Sequence, residues 1–120
     1  MAARILVVED DPQNLYLVKF LLEKSGYEVL VATDGEASVK IARAEPLELV
    51  LMDMLLPRVD GYEATRLIKK DPGPSLKVVA LTAYSMKGDR EAILQAGCDG
   101  YISKPIDPER FVSQVEEYLT

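Results

Sequence analysis

Short apolar runs alternate with longer stretches of helical periodicity along the whole chain, and few folds accept that alternation. Strand-length runs of Val, Ile and Leu with no polar face are buried on both sides, and helices between them supply the crossovers that parallel pairing requires. The pattern predicts βα units feeding one parallel sheet. Strands are expected at 4–8, 28–32, 47–52, 77–81 and 101–102, and helices at 12–24, 35–44, 62–70, 87–96 and 107–119. Pro12 suits the first turn of the first helix and Gly26 stops it. Asp107 is placed as N-cap of the last helix, with Pro108 at its first position. The run 47–52 is too continuously apolar for a one-sided strand, so it is assigned to the centre of the sheet.

A chain of 120 residues with 48% hydrophobic content has room for one domain, 1–120, and enough apolar surface for a core. No apolar run approaches a membrane span and no leader peptide precedes the first strand, which points to the cytoplasm. The absence of His excludes a His triad, a His metal site and a phosphohistidine of its own, and a single Cys98 excludes an internal disulfide and a Cys-rich zinc site. With 14 basic against 20 acidic residues the formal charge is −6, and no basic run occurs. Direct binding to nucleic acid or anionic lipid is therefore not expected; proteins are the expected partners.

In an open parallel sheet, ligands sit beyond the carboxyl ends of the strands, so the residues that follow each strand matter most. Strand one is followed by Glu9-Asp10-Asp11, strand three by Asp53, strand four by Thr82-Ala83 and strand five by Ser103-Lys104-Pro105. Two carboxylates about 5 Å apart repel by roughly 3 kcal/mol at an effective dielectric near 20, so a cluster of them calls for a cation. Hard oxygen ligands without His or Cys suit Mg²⁺. One carboxylate could then act as nucleophile towards phosphorus, with the ammonium and the hydroxyl holding the transferred oxygens. Taken singly, Glu9, Asp10 and Asp11 also fit as helix caps, Asp53 as a turn residue, Thr82 as a cap and Lys104 as a solvated ammonium.

Over essentially its whole length the sequence resembles the receiver domains of two-component response regulators, the CheY-like family. The segments carrying the likeness are Leu6-Val7-Val8-Glu9-Asp10-Asp11, Met52-Asp53-Met54-Leu55-Leu56-Pro57 with Asp60-Gly61, Leu81-Thr82-Ala83, and Tyr101-Ile102-Ser103-Lys104-Pro105. The resemblance implies a doubly wound, flavodoxin-like (βα)5 fold with strand order 2-1-3-4-5. It also implies that Asp53 accepts a phosphoryl group from the phosphohistidine of a sensor histidine kinase or a histidine phosphotransfer protein. Mg²⁺ would be held by Glu9, Asp10, Asp53 and the backbone carbonyl of Leu55, with Asp11 a bystander. Lys104 would pair with the phosphoryl group, its bond to Pro105 would be cis, and Thr82 and Tyr101 would act as the switch.

By the same resemblance the readout is a surface formed by the fourth helix, fifth strand and fifth helix, with Lys87, Arg90, Glu91, Gln95, Tyr101 and Gln114 as candidate contacts for a downstream protein target. The chain would be a signalling phosphoacceptor, not an enzyme, with only weak phosphotransfer and autophosphatase chemistry, acting as a monomer or a phosphorylation-dependent dimer. The stretch 82–90 resembles stand-alone DivK-type receivers and the receivers of hybrid histidine kinases; a start at Met1 and an end after the last helix favour the former. On the first helix, Leu15, Val18, Leu21 and Leu22 form the core stripe, and Tyr16, Phe20 and Leu17 are placed towards its flank, the aromatics as a surface for a phosphodonor helix. Leu55 and Tyr84 stand where, in this family, side chains flank the path of an attacking water. Both are large and largely apolar, so slow self-dephosphorylation is expected.

Other readings are less well served. An Asp-nucleophile phosphatase needs a second acid where Leu55 stands, and a nucleotide-binding domain needs a Gly-rich phosphate loop that the chain lacks. A receiver-like adaptor that no longer accepts phosphate stands against the intact acids, Thr82 and Lys104.

Overall fold

The computed structural model describes residues 3–56, 58–83 and 87–119, and only the backbone of 87–89. The order is β1 (Arg4–Val8), α1 (Pro12–Lys24), β2 (Glu28–Ala32), α2 (Gly35–Ala44), β3 (Leu49–Asp53), α3 (Gly61–Lys70), β4 (Lys77–Thr82), α4 (Lys87–Ala96), β5 (Gly100–Ser103) and α5 (Phe111–Glu116). The strands form one parallel sheet in the order β2-β1-β3-β4-β5. That is the doubly wound arrangement the resemblance implies.

Alternation along each strand sends successive side chains to opposite faces, and both faces are covered. Leu6, Val8, Val50, Met52, Val78 and Ala80 pack with Val39, Ala42, Ala64, Ile68 and Ile93 of α2, α3 and α4. Ile5, Val7, Leu49, Leu51, Val79 and Leu81 pack on the other side with Val18 and Leu22 of α1 and Phe111 and Val115 of α5. All five residues of β3 are buried, whereas β2 at the edge is half-exposed.

Three helices start on the same device. Asp11, Asp34 and Asp60 accept hydrogen bonds from Gln13 N, Ala37 N and Glu63 N at 3.1, 2.7 and 2.9 Å, satisfying amides that no helical carbonyl reaches. Gly35 and Gly61, directly after two of these caps, sit against backbone. A Cβ on Gly35 would collide with the carbonyl of Val59, and one on Gly61 would lie 2.5 Å from the carbonyl oxygen of Asp53.

Element ends shift where local bonding overrides pattern. Strand three begins at Leu49, not 47, and takes in Asp53, which pairs with Leu81. Strands four and five reach Thr82 and Ser103 because those two residues pair with each other. The last helix is the larger correction, running from Phe111 to Glu116 instead of 107–119. Asp107 caps a turn, accepting from Glu109 N at its Oδ1 and from Arg110 N and Phe111 N at its carbonyl, so Pro108 is not the first helical residue. At the other end, Tyr118 N and Leu119 N donate to Val115 and Glu116, three residues back, which tightens the chain out of the α-helix. Among the described residues no helix is long and apolar enough to cross a membrane.

Candidate functional site

The carboxyl ends of β1, β3, β4 and β5 open into a cleft of about 240 Å³ lined by Glu9, Asp10, Asp11, Asn14, Asp53, Met54, Leu55, Thr82, Ala83 and Lys104. Each strand delivers its polar residue where the hydrophobic run stops. Glu9 N still bonds Ala32 O across the sheet at 3.0 Å, Asp53 closes β3, and Lys104 N donates to Thr82 O at 2.8 Å. The Lys104–Pro105 bond is cis, as the resemblance implies; Asp71–Pro72 is cis as well.

Glu9, Asp10 and Asp53 each offer one oxygen, and the three lie within 4.8 Å of one another. Glu9 and Asp53 are buried, and Asp10 is exposed. Lys104 Nζ stands 2.8 Å from Glu9 Oε1 and 3.5 Å from Asp53 Oδ2. The Lys104 ammonium is thus the cation paired with buried Glu9 Oε1 among the described residues. Asp53 Oδ1 accepts from Leu55 N at 3.1 Å. Burial, reinforced by the Asp53 carboxyl beside it, pushes Glu9 up to about 7 against the pull of Lys104. For Lys104 burial acts to lower the pKa, but the attraction of Glu9 and Asp53 outweighs it and holds the ammonium above its ordinary value.

Among the described residues one ammonium faces three carboxyls, which leaves negative charge that a further cation would offset. An all-oxygen set with no nitrogen or sulfur ligand fits a hard divalent ion. Asp11 is taken out of this set: its oxygens hold Gln13 N and, at 3.0 Å, Asn14 Nδ2. Buried Thr82 lines the cleft, and the exposed Leu55 side chain stands at its edge. Tyr101 lies outside the cleft, half-buried on β5, with its hydroxyl 3.4 Å from Arg90 Nη1, which donates to it. Tyr84, Pro57 and the Lys87 side chain lie outside the described residues. Sequence reasoning missed Asn14, whose only signal was its place three residues after the Asp11 cap.

The comparisons with known proteins bear on this cleft. The response regulator receiver domain family matches residues 5–116. The chain belongs to that family. This receiver is 42% identical to the polar-differentiation response regulator DivK of Brucella ovis, over 99% of this chain and 98% of that protein. A crystal structure of the receiver domain of a Pseudomonas aeruginosa PAO1 sensor histidine kinase, with a magnesium ion coordinated in its active-site cleft, superposes with a TM-score of 0.91 at 36% identity, covering 99% of this chain and 98% of that one. The Vibrio cholerae chemotaxis protein CheY4 shares the fold at a TM-score of 0.94 and 22% identity, covering 99% of this chain and all of that one.

Two helix surfaces complete the receiver. On α1, Val18 and Leu22 are buried and Leu15 and Leu21 half-buried, while Tyr16 is 73% and Phe20 49% exposed. Their rings stack at 6.3 Å, with Lys24 Nζ 5.9 Å from the Phe20 ring. On α4, Arg90, Glu91 and Gln95 are exposed, and on α5 Gln114 is half-buried. Cys98 is a packed small residue, its Sγ 3.8 Å from Thr65 Oγ1 and its thiol pushed up to about 11 by burial.

Proposed function

We propose that Asp53 accepts a phosphoryl group from a phosphohistidine donor and that its phosphorylation resets the surface formed by α4, β5 and α5. The observation that carries this is the meeting of three carboxyl groups within 4.8 Å, two of them in contact with the Lys104 ammonium. The Asp53 carboxylate, oriented by Leu55 N, attacks phosphorus as the P–N bond to the donor imidazole breaks, and the electron pair leaves on the ring nitrogen. The product is an acyl phosphate on Asp53. Lys104 offsets charge on the transferred oxygens. Glu9, Asp10, Asp53 and the Leu55 carbonyl would hold Mg²⁺, which when bound neutralises phosphoryl oxygens.

Thr82, on the cleft wall, reaches towards the phosphoryl group, and Tyr101 turns inward, giving up its contact with Arg90. Contacts made in only one state bias a two-state element, and the receiver signals through that changed surface to a downstream protein. Its own chemistry is confined to weak phosphotransfer and autophosphatase activity. The stacked Tyr16 and Phe20, on the helix whose cap borders the cleft, suit docking of a helix from a sensor kinase or phosphotransfer protein in the cytoplasm.

Borohydride reduction after treatment with acetyl phosphate and Mg²⁺ tests the assignment, because an aspartyl phosphate is reduced to homoserine. Peptide mapping is expected to place homoserine at position 53. Homoserine at another aspartate, or the corresponding five-carbon alcohol at a glutamate, with Asp53 intact, would overturn the assignment.

A further inference from the structure

Asn14 is a polar side chain of the cleft that the proposed reaction does not use, and the inference drawn from it rests on the reading of that cleft as a Mg²⁺ site. It lies in the first turn of α1, half-buried, and lines the cleft together with Glu9, Asp10 and Asp53. Its Nδ2 donates to Asp11 Oδ2 at 3.0 Å, and Asp11 is itself fixed as the helix cap by Gln13 N at 3.1 Å. A carboxylate can only accept, so the amide nitrogen must face Asp11, and the carbonyl oxygen is left for another partner. That oxygen is an acceptor on the wall of an anionic cleft. It has nothing to offer phosphoryl oxygens, which are acceptors too. It can take a hydrogen from a donor, and the strongest donors such a cleft collects are waters polarised by a divalent cation. Mg²⁺ sheds its waters reluctantly, so a group beside its carboxylate ligands meets the ion through them.

We propose that Asn14 is a positioning residue of the metal site: held by Asp11, its carbonyl oxygen accepts a hydrogen bond from a water carried by bound Mg²⁺. It sets how tightly and in what orientation the ion sits, without touching the reacting atoms.

Calorimetric titration of the full chain with MgCl₂, without any phosphodonor, tests this in five proteins: the unaltered chain, Asn14→Ala, Asn14→Leu, Asp11→Ser and the double variant Asp11→Ser/Asn14→Ala. Ala and Leu are good helix formers and Ser keeps a capping hydroxyl, so the variants should fold; the melting midpoint without metal checks that they do. Asn14→Ala and Asn14→Leu should each weaken Mg²⁺ binding about tenfold, the lower end of what second-shell groups contribute. Asp11→Ser should weaken binding more when Asn14 is present than in the Asn14→Ala background, because only then does it also release the amide. A Kd within about twofold of the unaltered chain for both Asn14 variants, or a strictly additive cycle, would overturn the proposal while leaving the metal site intact. Failure of the unaltered chain to bind Mg²⁺ would remove the metal site and this proposal with it.

Discussion

Glu9 is closed off from water, with Asp53 beside it and one ammonium for company. In the metal-free receiver it keeps its proton up to about pH 7, against 4.5 for an ordinary glutamate. Between those values the folded chain binds more protons than the unfolded one, so stability falls as pH rises. The contribution is fully present below pH 4.5 and lost as pH passes through about 7; Lys104, also raised, titrates well above this window. Urea midpoints without metal should therefore drop from pH 5 towards pH 7.5 by more in the native receiver than in Glu9→Gln. Equal drops would show that Glu9 is not the titrating group. Because a carboxylate must be deprotonated to bind a cation, Mg²⁺ affinity should rise over the same window. Leu55 makes a second prediction at this scale. Its side chain is 59% exposed at the cleft edge and cannot orient a water, so the phosphorylated receiver should outlast the time of a mixing experiment. Leu55→Asn, which can hold a water, should speed phosphoryl loss about tenfold or more, read by the decay of the phosphorylated mass. Loss within seconds from the unaltered protein would contradict this.

Among the elements, the constraint that bears most directly on the cleft lies where α3 meets the end of β3. Gly61 N bonds Met54 O, and there is no room for a Cβ above the Asp53 carbonyl. Gly61→Ala should cost about 2 kcal/mol and, because the strain falls on the Asp53 backbone, slow phosphorylation as well. Asp34→Ala, at a cap that does not line the cleft, should cost about 1 kcal/mol and leave phosphorylation unchanged. Denaturant unfolding with parallel labelling rates distinguishes the two. What could be read at this scale follows the same logic. The bounds of β1, α1, β2, α2 and α4 are written in apolar period, Pro12 and Gly26, and the expected ranges coincide with the observed ones. The last helix is shorter than its sequence predicts because the apolar spacing continues past Glu116 while the α-helical bonding does not. Nothing in that spacing shows that the turn at 108–110 is closed by Asp107, or that Tyr118 and Leu119 switch to shorter bonds. Likewise Asp53 read as the residue after a strand, when its pairing with Leu81 makes it part of one.

For the molecule as a whole, a sheet buried on both faces leaves polar chemistry only at its ends, which is why strand-end residues scattered from Glu9 to Lys104 could be foreseen to meet. Their order of importance was harder to read. Three consecutive acids follow β1; the resemblance makes Asp11 the bystander, and the folded chain gives the physical reason, since Asp11 is spent on Gln13 N and Asn14 Nδ2 while Glu9 and Asp10 stay with Asp53. Asn14 escaped notice because a first-turn Asn carries no pattern until the cleft is closed around it. The flanks divide the same way: the α1 wheel separates buried Val18 and Leu22 from exposed Tyr16 and Phe20, whereas which residues of α4 and β5 meet is a tertiary fact, seen in the Arg90–Tyr101 contact. The central claim, that this cleft makes Asp53 a metal-dependent phosphoacceptor, is tested most directly by intact mass after incubation with acetyl phosphate, with and without Mg²⁺, for the native receiver and Asp53→Asn. A single phosphoryl adduct that requires Mg²⁺ and is absent from Asp53→Asn is the predicted result. An adduct that persists in Asp53→Asn, or no adduct under conditions that label another receiver, would contradict it.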